Sequence, residues 1–118
     1  MKKLLIVSSV SFLLLTSIAT SKKVDAANAA QSLCEYVAAD DKMRMRSFLK
    51  TNKLKIRRVF QDIQCNGQNL LHFASTSGSI ETGSLIISKL PKKIVANNID
   101  SLRSGAEALF DAANARIN

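Results

Sequence analysis

The chain has 118 residues, five Phe, one Tyr and no Trp, with 17 Lys and Arg against 9 Asp and Glu for a formal charge of +8. That length allows one small domain. One histidine and two cysteines leave too few soft ligands for a His- and Cys-rich metal centre, and no phosphate-binding loop, metal-ligand spacing or cofactor fingerprint occurs, so no cofactor is expected.

In chain order, Lys2 and Lys3 precede an apolar run from Leu4 to Ala19. Sixteen residues at ~1.5 Å each reach ~24 Å, short of a bilayer core of ~30 Å. Val24-Asp25-Ala26 fits the small-residue pattern of a signal-peptidase site. Residues 1–26 are therefore expected to be a cleavable signal peptide, with cleavage after Ser21 or Ala29 as alternatives and an uncleaved anchor as the competing reading. A lipid anchor is set aside, because Gln31-Ser32-Leu33 before Cys34 lacks the required box. Cleavage after Ala26 removes four lysines and one aspartate, leaving 13 cations, 8 acids and a net charge of +5.

Residues 27–32 are small and polar and read as a flexible lead-in. From there to residue 91 the apolar spacing predicts a helical domain, which a disulfide between Cys34 and Cys65 would staple. Leu33, Val37 and Ala38, with Tyr36 beside them, keep helical spacing up to Asp40-Asp41, a pair suited to a turn and a helix start. In "KMRMRSFLKTN" one face carries Met45, Phe48, Leu49 and Asn52, and Asn52 is the expected stop. Residues 52–64 are ambiguous: Ile56, Val59, Phe60 and Ile63 fit a short helix, while their β-branched and aromatic content also suits a strand. Helix is the preferred reading.

Asn66-Gly67 marks a turn. Leu70, Leu71, Phe73 and Ala74 open a further helix, Gly78-Ser79 interrupts, and Ile80 to Leu90 forms another with Leu85, Ile86 and Leu90 inward, ended by Pro91. Residues 92–118 read as a C-terminal amphipathic helix. Val95, Ile99, Leu102, Ala106, Leu109, Ala113 and Ile117 lie on one face and polar residues on the other, with weak points at Asp100-Ser101 and Gly105.

Cys34 and Cys65 allow only one intramolecular pairing. In an oxidising compartment a structural disulfide is the expectation, with free or intermolecular thiols and redox chemistry as alternatives. Redox or thiol catalysis would call for a Cys-x-x-Cys pair or a base beside one thiol, and neither spacing is present.

Among polar residues, the most informative feature is a cationic block: Lys42, Arg44, Arg46, Lys50, Lys53, Lys55, Arg57 and Arg58, with no acid among them. It is either a solvated face or a contact for anionic lipid, envelope polysaccharide or an acidic partner. Nucleic acid is not expected, because Phe48 and Phe60 are read as buried rather than free to stack. His72 lies near Ser75, Thr76, Ser77 and Ser79, but a structural role is preferred over a catalytic one, and Asp40-Asp41 read as caps.

Two resemblances follow. "GQNLLHFASTSG" resembles the ankyrin-repeat signature through Gly67, Leu71, His72, Ala74 and Gly78, with "ETGSLIISKL" similar to the outer helix; Asn69 and Leu70 replace the Thr-Pro pair. A backward shift of 36 residues lays Ala38 on Ala74 and Leu49 on Leu85, but puts Lys42 on Gly78. This likeness implies ankyrin-like helix pairs, with Gly67, His72 and Gly78 structural. More broadly, "LCEYVAADDKMRMRSFLK", "LKIRRVFQDIQCNG", "LLHFA" and "ETGSLIISKLP" resemble a family of small exported gammaproteobacterial proteins classed as a domain of unknown function. That resemblance implies a periplasmic protein with Cys34 paired to Cys65, and it carries no activity.

The resulting expectation is an all-α, monomeric, non-enzymatic periplasmic protein acting as a protein-interaction module. The alternative is an envelope binder of anionic lipid or polysaccharide through the basic block.

Overall fold

The computed structural model describes residues 26–118; the expected signal peptide lies outside them, apart from Ala26. Seven α-helices and one two-stranded ribbon follow in order: α1 Ala26–Ala38, α2 Lys42–Thr51, α3 Ile56–Val59, β1 Gln64–Cys65, β2 Gln68–Asn69, α4 Leu70–Thr76, α5 Ile80–Lys89, α6 Lys92–Asn98 and α7 Glu107–Ile117. Short 3₁₀ turns at Phe60–Asp62 and Asp100–Leu102 complete the chain. The fold is all-α, as its apolar spacing predicts. None of the described helices is long and apolar enough to cross a membrane.

The core forms because each helix turns one apolar stripe inward. Leu33 and Val37 from α1, Met45 and Leu49 from α2, and Leu70, Leu71 and Ala74 from α4 are buried around α5. Helix α5 packs against α1, α2, α3, α4 and α7. Such encirclement explains why Thr82, Gly83, Leu85, Ile86 and Ile87 are all buried. At Gly83 a Cβ would run into the Leu109 side chain, so glycine lets α7 approach α5 closely.

Turn chemistry sets the helix ends. After α1, α2 and α4 the chain turns through a left-handed residue, Asp40 (φ 52°), Lys53 (φ 54°) and Gly78 (φ 69°). The next N–H reaches back to a carbonyl of the finished helix in each case: Asp41 to Tyr36, Leu54 to Leu49 and Ser79 to Ala74, each 2.8 Å. These paired bonds close the last turn of a helix whose carbonyls would otherwise be unmet. The α1–α2 and α4–α5 turns therefore correspond as Asp40 with Gly78 and Asp41 with Ser79. The sequence overlay, which put Lys42 on Gly78, is out of register by two residues.

The two turns are also bonded to each other. Ser79 is the first residue of the α5 cap, but its hydroxyl donates to the Val37 carbonyl instead of capping its own helix. The carboxylate of Asp40 takes over that task. It accepts from the N–H of Thr82 at 2.8 Å and of Glu81 at 3.2 Å, and from the Thr82 hydroxyl at 3.0 Å. Asp41 caps its own helix, accepting from the Arg44 N–H at 3.0 Å. The adjacent acids thus start two different helices.

Between α3 and α4, Asn66 (φ 54°) and Gly67 (φ 77°) form the two-residue loop of a hairpin pairing Gln64 with Asn69 and Cys65 with Gln68. Positive φ at both loop positions is what matches the twist of such a ribbon. Of the ambiguous stretch 52–64, residues 56–62 are helical and Gln64 already belongs to β1, with Ile56, Phe60 and Ile63 buried. Asn69 then caps α4, accepting from the His72 N–H at 2.8 Å.

Two expectations need correction. Residues 27–32 are not a lead-in but the first part of α1, with Ala29 buried; alanine's helix propensity supports the segment where hydrophobic spacing gave no signal. Residues 92–118 are two helices rather than one. The break falls at Arg103–Ala106, where Gly105 lies so close to Ser75 that a Cβ would collide with that side chain. There the Ala106 N–H donates to the Ser75 hydroxyl at 3.0 Å and to its carbonyl at 3.2 Å. The tail packs on the rest of the domain, α7 against α5 and the Asp100–Leu102 turn against α4.

Candidate functional site

Cys34 and Cys65 form a disulfide, with Cα atoms 5.7 Å apart and a sequence separation of 31. The bond ties α1 to strand β1 at the mouth of the Asn66-Gly67 turn. Cys65 is buried and Cys34 partly so. The alternative of free thiols is excluded, since no cysteine is unpaired.

His72 sits half-buried on α4, its Nε2 3.4 Å from the Gln68 side-chain amide nitrogen. The other side of that amide accepts from the Thr76 hydroxyl at 3.0 Å. This arrangement braces the hairpin against α4. Gly67 and Gly78 occupy left-handed positions that favour glycine. Ser75 and Ser79 are buried and spent on the backbone contacts above. Among the described residues, no three His, Cys, Asp or Glu side chains gather in one place.

The cationic block divides in two. At the start of α2, Lys42 lies 3.9 Å from Glu81 and Arg44 lies 3.4 Å from Asp41. A shallow depression there is lined by Asp40, Asp41 and Glu81 as well as Lys42, Met43 and Arg46. Charge at that end is mixed, and the exposed pairs contribute little binding energy.

The other end differs. A groove of about 720 Å³ runs between the end of α2, the start of α3, the end of α5 and the end of α7, and its cations are Arg46, Lys50, Lys55, Arg57, Lys89 and Arg116. No acid lines it. Its apolar lining comes from Leu49, Leu54, Ile56 and Leu85, of which Leu54 is half-buried and the others are buried. Arg46, Lys50, Lys55, Arg57 and Lys89 are exposed and take part in none of the ion pairs or side-chain hydrogen bonds among the described residues. Like charges brought this close repel, so the groove favours an anionic occupant.

Arg116 has a second task. Its Nε and Nη2 donate to the carbonyls of Ile87 at 3.3 Å and Leu90 at 3.1 Å. The guanidinium therefore satisfies carbonyls at the end of α5, where a cation also suits the helix dipole. It pins α7 beside the groove.

Of the eight cations singled out in the sequence, four line the groove: Arg46, Lys50, Lys55 and Arg57. Lys53 and Arg58 are exposed and do not line it, while Lys42 and Arg44 are turned toward acids. Sequence reasoning missed Lys89 and Arg116. Lys89 carried a weak signal, as a cation in the last turn of a helix just before Pro91, but nothing local in the sequence links either residue to α2.

A family model described as "Protein of unknown function (DUF3718)" matches residues 33–97, more than half of the chain. It covers both cysteines and the entire cationic block and stops short of α7. No curated protein and no solved structure matches the chain.

Proposed function

We propose that this chain, which belongs to the DUF3718 family of proteins of unknown function, is an exported, non-enzymatic binding module that engages an acidic partner protein through the groove between α2, α3, α5 and α7. The observation that carries the reading is the set of exposed, unpaired cations gathered around a concavity that no acid lines. A solvated basic face disperses its charges or pairs them, as the start of α2 does. Here they converge, at a cost in repulsion that an acidic ligand relieves.

A periplasmic location agrees with the apolar run at Leu4 to Ala19 and with a disulfide, which persists in oxidising compartments. The likeness of residues 67–90 to an ankyrin unit supports a role in protein contact. The non-enzymatic reading draws on His72 and Ser75, the natural candidates for acid–base or nucleophilic work: the His72 Nε2 faces the Gln68 amide, and the Ser75 hydroxyl accepts from the Ala106 N–H.

Site-specific photo-cross-linking in intact cells tests the proposal. A cross-linker at Ser88, which lines the groove, should capture a defined protein, whereas one at exposed Ser104 should not. Arg46→Glu with Arg57→Glu should abolish the capture, and Lys42→Glu with Arg44→Glu should leave most of it. Equal loss from both double variants, or capture from both positions, would refute a groove-centred contact. A second reading, binding to anionic lipid or polysaccharide of the envelope, rests on the same cations. It predicts salt-sensitive cosedimentation with anionic vesicles or polymer and no protein adduct.

A further inference from the structure

We infer that the groove's occupant is an extended peptide segment of the partner in which acidic and aliphatic residues alternate. The inference rests on the binding reading above and deepens it by naming the ligand.

The rim speaks for carboxylates. Arg46 and Arg57 present planar guanidinium groups suited to paired bonds with a carboxylate, and Lys50, Lys55 and Lys89 add point charges. The floor demands something more than a bare anion. Leu54, half-buried at the left-handed exit of α2, is the most accessible apolar side chain lining the groove, with Leu49 beside it at 9% exposure. A phosphate or a polyanion without side chains leaves that surface wet.

Shape and composition narrow the class further. The surface is concave, whereas a bilayer headgroup plane meets a flat or convex face. No aromatic residue lines the groove, so a sugar ring finds no aromatic platform and a base has only guanidinium planes to stack on. A volume of about 720 Å³ falls within the range of pockets that enclose a small ligand or a short stretch of chain. In an extended segment successive side chains point to opposite sides. Alternation of acidic and aliphatic residues therefore sends the aliphatic set to the floor and turns the acidic set outward, within reach of the long Arg and Lys side chains of the rim.

Fluorescence anisotropy on the purified, disulfide-intact protein provides the test. The probes are a labelled Asp-Leu-Glu-Ile-Asp-Leu peptide, a charge-matched Asp-Ser-Glu-Ser-Asp-Ser peptide and, separately, phosphatidylglycerol vesicles. The aliphatic peptide should bind about tenfold more tightly than the serine peptide, since even one buried aliphatic side chain supplies that difference. Leu54→Ser should remove most of the discrimination, and Arg46→Glu with Arg57→Glu should eliminate binding of both peptides. Equal affinity for the two peptides on the unmodified protein, with loss on the arginine variant, would overturn the alternating ligand while leaving the acidic-partner reading standing. Salt-sensitive binding to vesicles with neither peptide bound would overturn both in favour of a lipid surface, and no binding to any probe would overturn this inference outright. The comparison of peptides on the unmodified protein decides the matter even if Leu54→Ser fails to fold.

Discussion

At Asp40 the backbone takes a φ of 52°, a region that costs an L residue roughly 1 kcal/mol or more. Its side chain accepts two backbone N–H groups and a hydroxyl at the start of α5. Two opposing terms therefore meet in one residue, and substitutions separate them. Asp40→Ala keeps the backbone cost and loses the cap, so stability should fall by about 1–2 kcal/mol in urea titration. Asp40→Gly loses the same cap but relaxes the turn, and should lose less. Equal stability of Asp40→Ala and the parent protein would show that the remote cap contributes nothing. The sequence marked this pair of aspartates as caps without revealing that they serve different helices. Nothing within a few residues of Asp40 points to Thr82; only the fold brings them together.

The elements themselves were largely legible. Leu33, Val37, Met45, Leu49, Leu85, Ile86, Val95, Leu102 and Leu109 follow helical spacing and are buried, because one-sided burial is what selects that spacing. The failures came where a distant contact decides. The tail carries a continuous apolar stripe with a weak point at Gly105, but that the chain breaks there is decided by the contact of Gly105 with Ser75, some thirty residues upstream. Gly105→Ala, favourable in an isolated helix, should here destabilise by about 1–3 kcal/mol, because the added methyl displaces the serine that holds the Ala106 N–H. Thermal melts followed by circular dichroism check this, and a rise in midpoint would mean that the tail prefers one continuous helix. The groove was only half legible for the same reason. Neighbours in sequence suggested a stripe from Lys42 to Arg58, whereas folding turned its first two members toward acids and supplied Lys89 and Arg116 from elsewhere.

At the scale of the whole molecule, a core built from short helices is marginal, and the disulfide is the largest single contribution that can be removed by one reagent. Closing a loop of 31 residues restrains the unfolded chain by ~3–4 kcal/mol. For a domain of this size ~1 kcal/mol moves the melting midpoint by ~4–8 °C, so reduction, or Cys34→Ala, should lower it by more than ~10 °C. Differential scanning calorimetry with and without reductant measures the drop, and a shift of a degree or two would mean that the helices hold together without the cross-link.

The same bond has a bearing on the order of events during biogenesis. Both cysteines lie in the first 65 residues, whereas α5 is not covered until α7, which ends at Ile117, has been delivered. A chain that emerges N-terminus first can therefore be oxidised while its central helix still lacks a lid. Delivery in that order into an oxidising compartment would allow the cross-link to form before the tertiary fold is complete, with the final helix closing over a half already tied together.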